Sequence, residues 1–151
     1  GLRVRLPTRS NARDNGVGRV SNSRRSAVAN SYRLDFLRSP AWFARRARWF
    51  RMQVQLGNSL TCSGCGEIGS ASTLQLHHLD YAGVSQVDGR WRALERDDDL
   101  VPLHPTCHEL LHRLIDRDTV LSRQRSRRDA TLIGLEKLRA VLTRMERSDD
   151  R

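Results

Sequence analysis

Every cysteine and histidine of this 151-residue chain falls between positions 62 and 112: Cys62, Cys65, His77, His78, His104, Cys107, His108 and His112. Thiolate sulfur and imidazole nitrogen are the donors that hold zinc and its transition-metal neighbours. Cys62-x-x-Cys65 and His104-x-x-Cys107 have the short spacing of paired ligands, and two such pairs joined by folding make a tetrahedral structural zinc site. The odd cysteine count, with a CxxC pair, favours metal over disulfides. The competing reading makes the three cysteines small buried residues and leaves His104 on the surface.

His108 and His112 are four residues apart, so on a helix they leave one face and can share a cation. Cys107 lies about 100° around the same helix from His108, so one helix can serve two separate sites. His77 and His78 are neighbours in Leu74-Gln75-Leu76-His77-His78-Leu79, whose alternation is that of a strand. Adjacent strand residues point to opposite faces. One histidine is therefore expected to bind metal while the other acts nearby, for example as a base on a water molecule. A purely structural two-zinc site using all eight residues is the alternative.

These side chains need elements to carry them. Ser39-Pro40 reads as an N-cap followed by proline at the first helical position, starting a helix that runs to about Gln53. Its apolar stripe is Trp42, Phe43, Trp49 and Phe50. Arg45, Arg46, Arg48 and Arg51 cover much of the rest, either as a solvated face or as a grip on a DNA backbone. Cys62 to Gly66 forms a tight turn, 74–79 a strand, and Tyr81 to about Arg96 a loop. Leu100-Val101-Pro102-Leu103 is a second short strand whose proline marks an edge or an end. Pro105 starts a helix bearing Cys107, His108, Leu111 and His112. A last helix spans about 130–147 with Leu132, Leu135, Leu138, Leu142 and Met145 along one stripe, which can pack on this domain or on a second copy of it. Gly134 inside that helix costs about 1 kcal/mol relative to alanine, so packing must support it.

Net charge is +10, from 27 Lys+Arg against 17 Asp+Glu, and all but Lys137 of the basic residues are arginine. An arginine bias fits phosphate contacts, and it fits a GC-rich genome equally well. Its distribution is more telling. Residues 1–31 carry +6, 32–60 carry +5, 61–112 carry −5 and 113–151 carry +4. Basic flanks around an acidic, ligand-rich centre suit a protein that holds a polyanion with its arms and cations at its middle. At 38% hydrophobic and 5% aromatic the chain supports one small core rather than two. Residues 1–31 read as a disordered basic arm. No apolar run approaches the roughly 20 residues of a membrane span, and the first residues lack the apolar stretch of a signal peptide, so the expectation is a cytoplasmic protein with no membrane partner.

Cys62-x-x-Cys65, Leu76-His77-His78-Leu79-Asp80-Tyr81, Asp99-Leu100-Val101-Pro102-Leu103, Cys107-His108 and His112 together resemble the HNH endonuclease family of the zinc-knuckle bacterial and phage type. Phe36-Leu37-Arg38-Ser39-Pro40-Ala41-Trp42 is similar to the helix entry before that domain. The resemblance implies an α+β chain built on a small ββα-metal (His-Me finger) domain over 32–113 with a zinc knuckle and flanking helices; residues 114–151 lie outside it and read from their own pattern as a helical basic extension. It implies His78 as the general base that activates water for in-line attack on phosphorus. His77 and His108 match metal ligands, and His112 a third ligand or a phosphate contact. Asp99 stands where the family has the asparagine that holds the base-bearing loop, keeping acceptor oxygens and losing the amide donor. His104 stands where the family usually has a third zinc cysteine, which preserves a Cys3His knuckle with Cys62, Cys65 and Cys107. The implied activity is hydrolysis of DNA phosphodiesters with one catalytic divalent cation beside the structural zinc. Histidine ligation favours Mn²⁺, Ni²⁺, Co²⁺ or Zn²⁺ at least as well as Mg²⁺. The implied partner is DNA; the charged face of the first helix offers Arg45, Arg46, Arg48 and Arg51 as contacts, and the apolar stripe of the last helix offers a homodimer as an option. Two other classes remain: a non-catalytic zinc-dependent DNA-binding module, and a protein-interaction module using the C-terminal helix.

Overall fold

A computed structural model describes residues 17–22 and 27–151. Elements follow in the order β1 (Val17–Arg19), α1 (Ala27–Leu37), α2 (Pro40–Gln55), β2 (Gln75–His78), β3 (Val84–Val87), β4 (Arg90–Ala93), β5 (Leu100–Leu103), α3 (Pro105–Arg117), α4 (Thr119–Arg123) and α5 (Arg127–Asp149). The chain is a mixture of helices and two small antiparallel sheets, β1-β3-β4 and β2-β5.

Local chemistry explains the helix starts. Ser39 accepts a hydrogen bond from the Trp42 amide and Pro40 opens α2, as the sequence signature requires. Ser126 caps α5 through the Asp129 amide. His104 precedes Pro105 at the start of α3 but caps nothing; its ring is engaged elsewhere. In α2 the buried positions are Trp42, Arg45, Trp49 and Phe50, whereas Phe43 is 59% exposed. The expected stripe is therefore wrong at Phe43: residue 43 lies about 100° around the helix from Trp42, and Arg45 takes its place in the buried row.

The segment from Tyr81 to Arg96 is a hairpin, not a loop. β3 and β4 pair antiparallel with Val87 opposite Arg90, leaving Asp88 (φ 50°) and Gly89 (φ 75°) as the two turn residues. Both take the left-handed region that a two-residue primed turn needs, and Asp-Gly is a favoured pair for it. β1 adds to the other edge of β3, Gly18 opposite Gln86. Residues 17–19 are thus part of a sheet, which corrects the reading of 1–31 as one disordered arm; residues 1–16 and 23–26 of that arm lie outside the described residues.

β2 and β5 pair with His77 opposite Val101 and His78 opposite Leu100, and α3 follows directly. Pro102 closes on its outer side by accepting from the Ser63 amide at 2.8 Å, which ties the CxxC turn to this sheet. The boundary expected after residue 113 falls inside α3, and α4, capped by Asp118, was not anticipated. One apolar cluster joins all layers, including Phe36, Leu74, Leu103, Leu111, Ile115 and Leu138. Gly134 shows why α5 belongs to it. A Cβ there would lie 2.9 Å from Leu111 Cδ1 and 3.0 Å from Ile115 Cγ1, so its absence lets α5 close on α3. The α5 stripe is split by this packing: Leu135 and Leu138 are buried, while Leu132 and Met145 are exposed.

Candidate metal centres and their cavity

Folding brings the two ligand pairs together. Cys62, Cys65, His104 and Cys107 place one donor atom each within 4.8 Å of one another, a Cys3His cluster consistent with a structural zinc. The CxxC turn is built for it: the Cys62 amide donates to the Glu67 carbonyl and Gly66 donates back to Cys62 O, both at 2.9 Å. The Gly64 and His104 amides donate to Cys62 Sγ at 3.3 Å each. Burial pushes the Cys62 thiol up, but these amide donors outweigh it and bring it down to about 7. Cys107 moves the other way, to about 12, through burial and then the neighbouring sulfurs of Cys62 and Cys65. Converging thiolates of this kind call for a cation, which both stabilises the charges and deprotonates the last thiol.

A second cluster lies on the other flank of α3. His77, His108 and His112 also bring one nitrogen each within 4.8 Å. His77 Nδ1 is 3.1 Å from His108 Nε2, and His112 Nε2 is 3.0 Å from the same atom. His108 Nδ1 donates to Gln75 Oε1 at 2.8 Å, so its Nε2 carries a lone pair. One lone pair takes one in-line hydrogen bond, yet two ring nitrogens face it. A divalent ion removes that conflict. Tetrahedral Zn–N bonds of 2.0–2.1 Å put ligand nitrogens about 3.3 Å apart, close to the spacing here. The far side of His77 is held as well, Nε2 lying 3.0 Å from Thr131 Oγ1 of α5. Such outer partners orient a ligand and select its tautomer. Burial first, then Arg127 and His78, hold His108 down to about 4, so the ring is neutral and able to ligate at pH 7.

His78 points away from this triad, as strand alternation requires. It is 2% exposed, stacked on Tyr81 (ring centroids 4.2 Å, 11° between planes) and packed against Trp42 at 4.6 Å. Its Nε2 lies 2.9 Å from Glu95 Oε2. Burial pushes the His78 imidazole below its ordinary 6.5, against the pull of Glu95. Both faces of the strand nevertheless reach one cavity of about 430 Å³, whose walls include His77, His78, His108, His112, Arg33 and Arg127.

The Asp99 carbonyl accepts from Leu79 N at 2.7 Å, next to His78, while its carboxylate pairs with Arg128. Arg127 Nε donates to His78 O at 2.8 Å, with its guanidinium 4.9 Å from the Tyr81 ring centroid. The start of α5 therefore holds β2 at two points, through Arg127 and Thr131, and reaches the neighbouring Asp99 through Arg128. Nothing in the sequence pointed to these residues, nor to Gln75 or Glu95, because they meet the histidines from distant parts of the chain.

The four arginines of α2 separate. Arg45 is 4% exposed, donates twice to the Glu95 carbonyl and pairs with Asp97 at 2.6 Å. Arg46 donates to the carbonyls of Leu74 (2.8 Å) and Ala71 and covers the Phe50 ring. Both were expected on an outward basic face; they are instead spent on internal carbonyls, because the chain between 71 and 97 packs over that side of α2. Arg48 and Arg51 remain exposed. Among the described residues no helix is long and apolar enough to cross a membrane. Set against family models, curated proteins and solved structures, the chain matches none of them.

Proposed function

We propose that this protein is a metal-dependent endonuclease of the HNH type that hydrolyses DNA phosphodiester bonds. One observation carries the reading: three histidine nitrogens converge beside a fourth histidine, His78, in a single cavity with Arg33 and Arg127 on its wall. The antiparallel β2–β5 pair followed by α3 supports the ββα-metal assignment, with His77 and His78 on the first strand and His108 and His112 on the helix. A divalent ion held by His77, His108 and His112 would supply charge for the scissile phosphate and the leaving oxygen. His78 takes a proton from the attacking water; with Nε2 committed to Glu95, the accepting nitrogen is Nδ1. Asp99 keeps the strand bearing His78 in place through its carbonyl. Arg127, anchored to His78 O, sets positive charge on the cavity wall where a phosphate would lie. The Cys3His knuckle stabilises the fold around α3 and takes no part in the reaction. Arg48 and Arg51 are the α2 residues left to meet the DNA backbone.

Plasmid cleavage tests this with Mn²⁺, Ni²⁺, Co²⁺, Zn²⁺ and Mg²⁺, comparing the wild type with His78→Ala. Loss of about a hundredfold or more in rate is expected. Equal cleavage by both proteins would remove the assigned base, and a strict Mg²⁺ requirement would remove the three-histidine ligation. One observation favours the non-catalytic DNA-binding reading: His78 is almost wholly buried. Salt-sensitive DNA binding without nicking under any of these metals would establish that alternative.

A further inference from the structure

We propose that Glu95 is a positioning residue for His78, fixing both the ring and its tautomer so that Nδ1 is the nitrogen offered to the cavity. The role rests on the nuclease reading given above and names a residue outside the histidine and aspartate set. The Glu95 side chain is fully buried, at 0% exposure, and that of His78 is at 1%. An ionised carboxylate only accepts hydrogen bonds. With the carboxylate ionised, His78 Nε2, 2.9 Å from Oε2, is the donor, which puts the lone pair on Nδ1.

The geometry around the pair constrains it further. Tyr81 stacks on the His78 ring and Trp42 packs against it, so rotation about the ring's own bond is blocked by aromatic neighbours. Glu95 is itself held by its backbone: its carbonyl accepts from Arg45 Nε at 3.2 Å and Nη2 at 2.7 Å, and Arg45 is braced by Asp97. Burying a carboxylate is costly unless its oxygens are paired. Here Oε1 is buried with no hydrogen-bond partner. The carboxylate thus sits at a place unfavourable to stability, and its one partnered side-chain oxygen is directed at the imidazole. Polar groups kept at such a cost are typical of sites that orient reacting groups.

The consequence for the reaction is specific. As the water oxygen bonds to phosphorus, its O–H bond breaks and the proton passes to His78 Nδ1, while the leaving oxygen departs with the electron pair of its P–O bond. The imidazolium formed keeps its second N–H on Glu95 Oε2, 2.9 Å away. The opposite tautomer would present an N–H to the water and accept nothing.

Long-range ¹H–¹⁵N NMR on the zinc-loaded full chain reads the tautomer directly. The expected wild-type spectrum has His78 protonated at Nε2 and unprotonated at Nδ1. In Glu95→Gln, whose amide donates as well as accepts, that preference should be lost or reversed. The same variant should lower kcat for DNA cleavage by about a hundredfold or more, with KM changed by less than about threefold. A wild-type Nδ1–H tautomer would overturn the proposal, and so would an undiminished kcat in Glu95→Gln. The tautomer is read on the wild type, so the outcome stands even where a variant does not fold. A wild type that cleaves DNA under none of these metals would remove the nuclease reading, while the spectrum still decides whether Glu95 sets the tautomer.

Discussion

Thr131→Val tests whether the C-terminal helix supports the proposed histidine metal site. Thr131 is 0% exposed and its hydroxyl lies 3.0 Å from Nε2 of His77, which is itself 1% exposed. Valine keeps the branched shape and removes only the hydroxyl, so the core stays filled while a buried imidazole nitrogen loses its partner. An unsatisfied buried polar group costs about 1–3 kcal/mol, and that should appear in denaturant melts of protein whose histidine site is metal-free. A second effect is expected on metal binding at the proposed histidine site. Losing the outer partner of a ligating histidine lowers affinity about 10- to 100-fold, or roughly 1.4–2.7 kcal/mol. Cobalt titration followed by its visible ligand-field bands, with zinc kept in the knuckle, measures this directly. Thr131→Ser separates the two effects: it gives up a methyl group, worth about 0.8 kcal/mol, yet retains the hydroxyl and should bind cobalt as the wild type does. Wild-type cobalt affinity in Thr131→Val would refute the reasoning, and so would equal losses in both variants.

Three further outcomes follow from the geometry. Cys65→Ser should abolish tight zinc binding at the knuckle and destabilise the fold by about 3 kcal/mol or more; zinc retained at full stoichiometry after dialysis would contradict it. Gly83→Ala would set a Cβ 2.5 Å from the Leu94 carbonyl carbon and oxygen and 2.6 Å from Glu95 N, all backbone atoms that cannot rotate aside. It should cost about 2–4 kcal/mol in denaturant melts and disturb the Glu95–His78 pair, and an unchanged melting curve would refute the close approach. In metal-free protein His108 stays neutral down to about 4 instead of 6.5, so between these values the unfolded chain binds the extra proton. Stability should fall as pH drops through that window, by about 3 kcal/mol at most, and stay level for this group outside it. His108→Asn should flatten the slope, which denaturant melts across pH 4–7 would show.

Legibility differed by element for physical reasons. The α2 start was readable because Ser39-Pro40 acts within one turn, and β2, β5 and α3 because each carries a local period or a proline. The β3–β4 hairpin was missed although Asp88-Gly89 is a strong turn pair; Arg90-Trp91-Arg92-Ala93 is too polar to stand out as a strand. α4 is five residues held by an Asp118 cap, below the length at which periodicity speaks. Arg45 reads as surface because a charge in an amphipathic helix usually is, and the carbonyl of Glu95 and the carboxylate of Asp97, 50 and 52 residues away, make its burial tolerable.

By itself the sequence determined the donors. The spacing of Cys62, Cys65, His104 and Cys107 names one candidate metal cluster, the i,i+4 pair His108 and His112 begins a second candidate, and alternation along β2 sends His77 and His78 to opposite faces. These are short-range facts, set by the 3.6-residue turn and the two-residue pleat. Tertiary structure decided everything that orients those donors. Gln75 on His108, Thr131 on His77, Glu95 on His78 and Arg128 on Asp99 are separated from their partners by 33, 54, 17 and 29 residues. A hydrogen bond between groups so far apart in the chain depends on how α3, α5 and the β3–β4 hairpin pack. That packing is set by the whole apolar cluster rather than by any local pattern, so the chemistry of the site is written in the sequence and its aim is written in the fold.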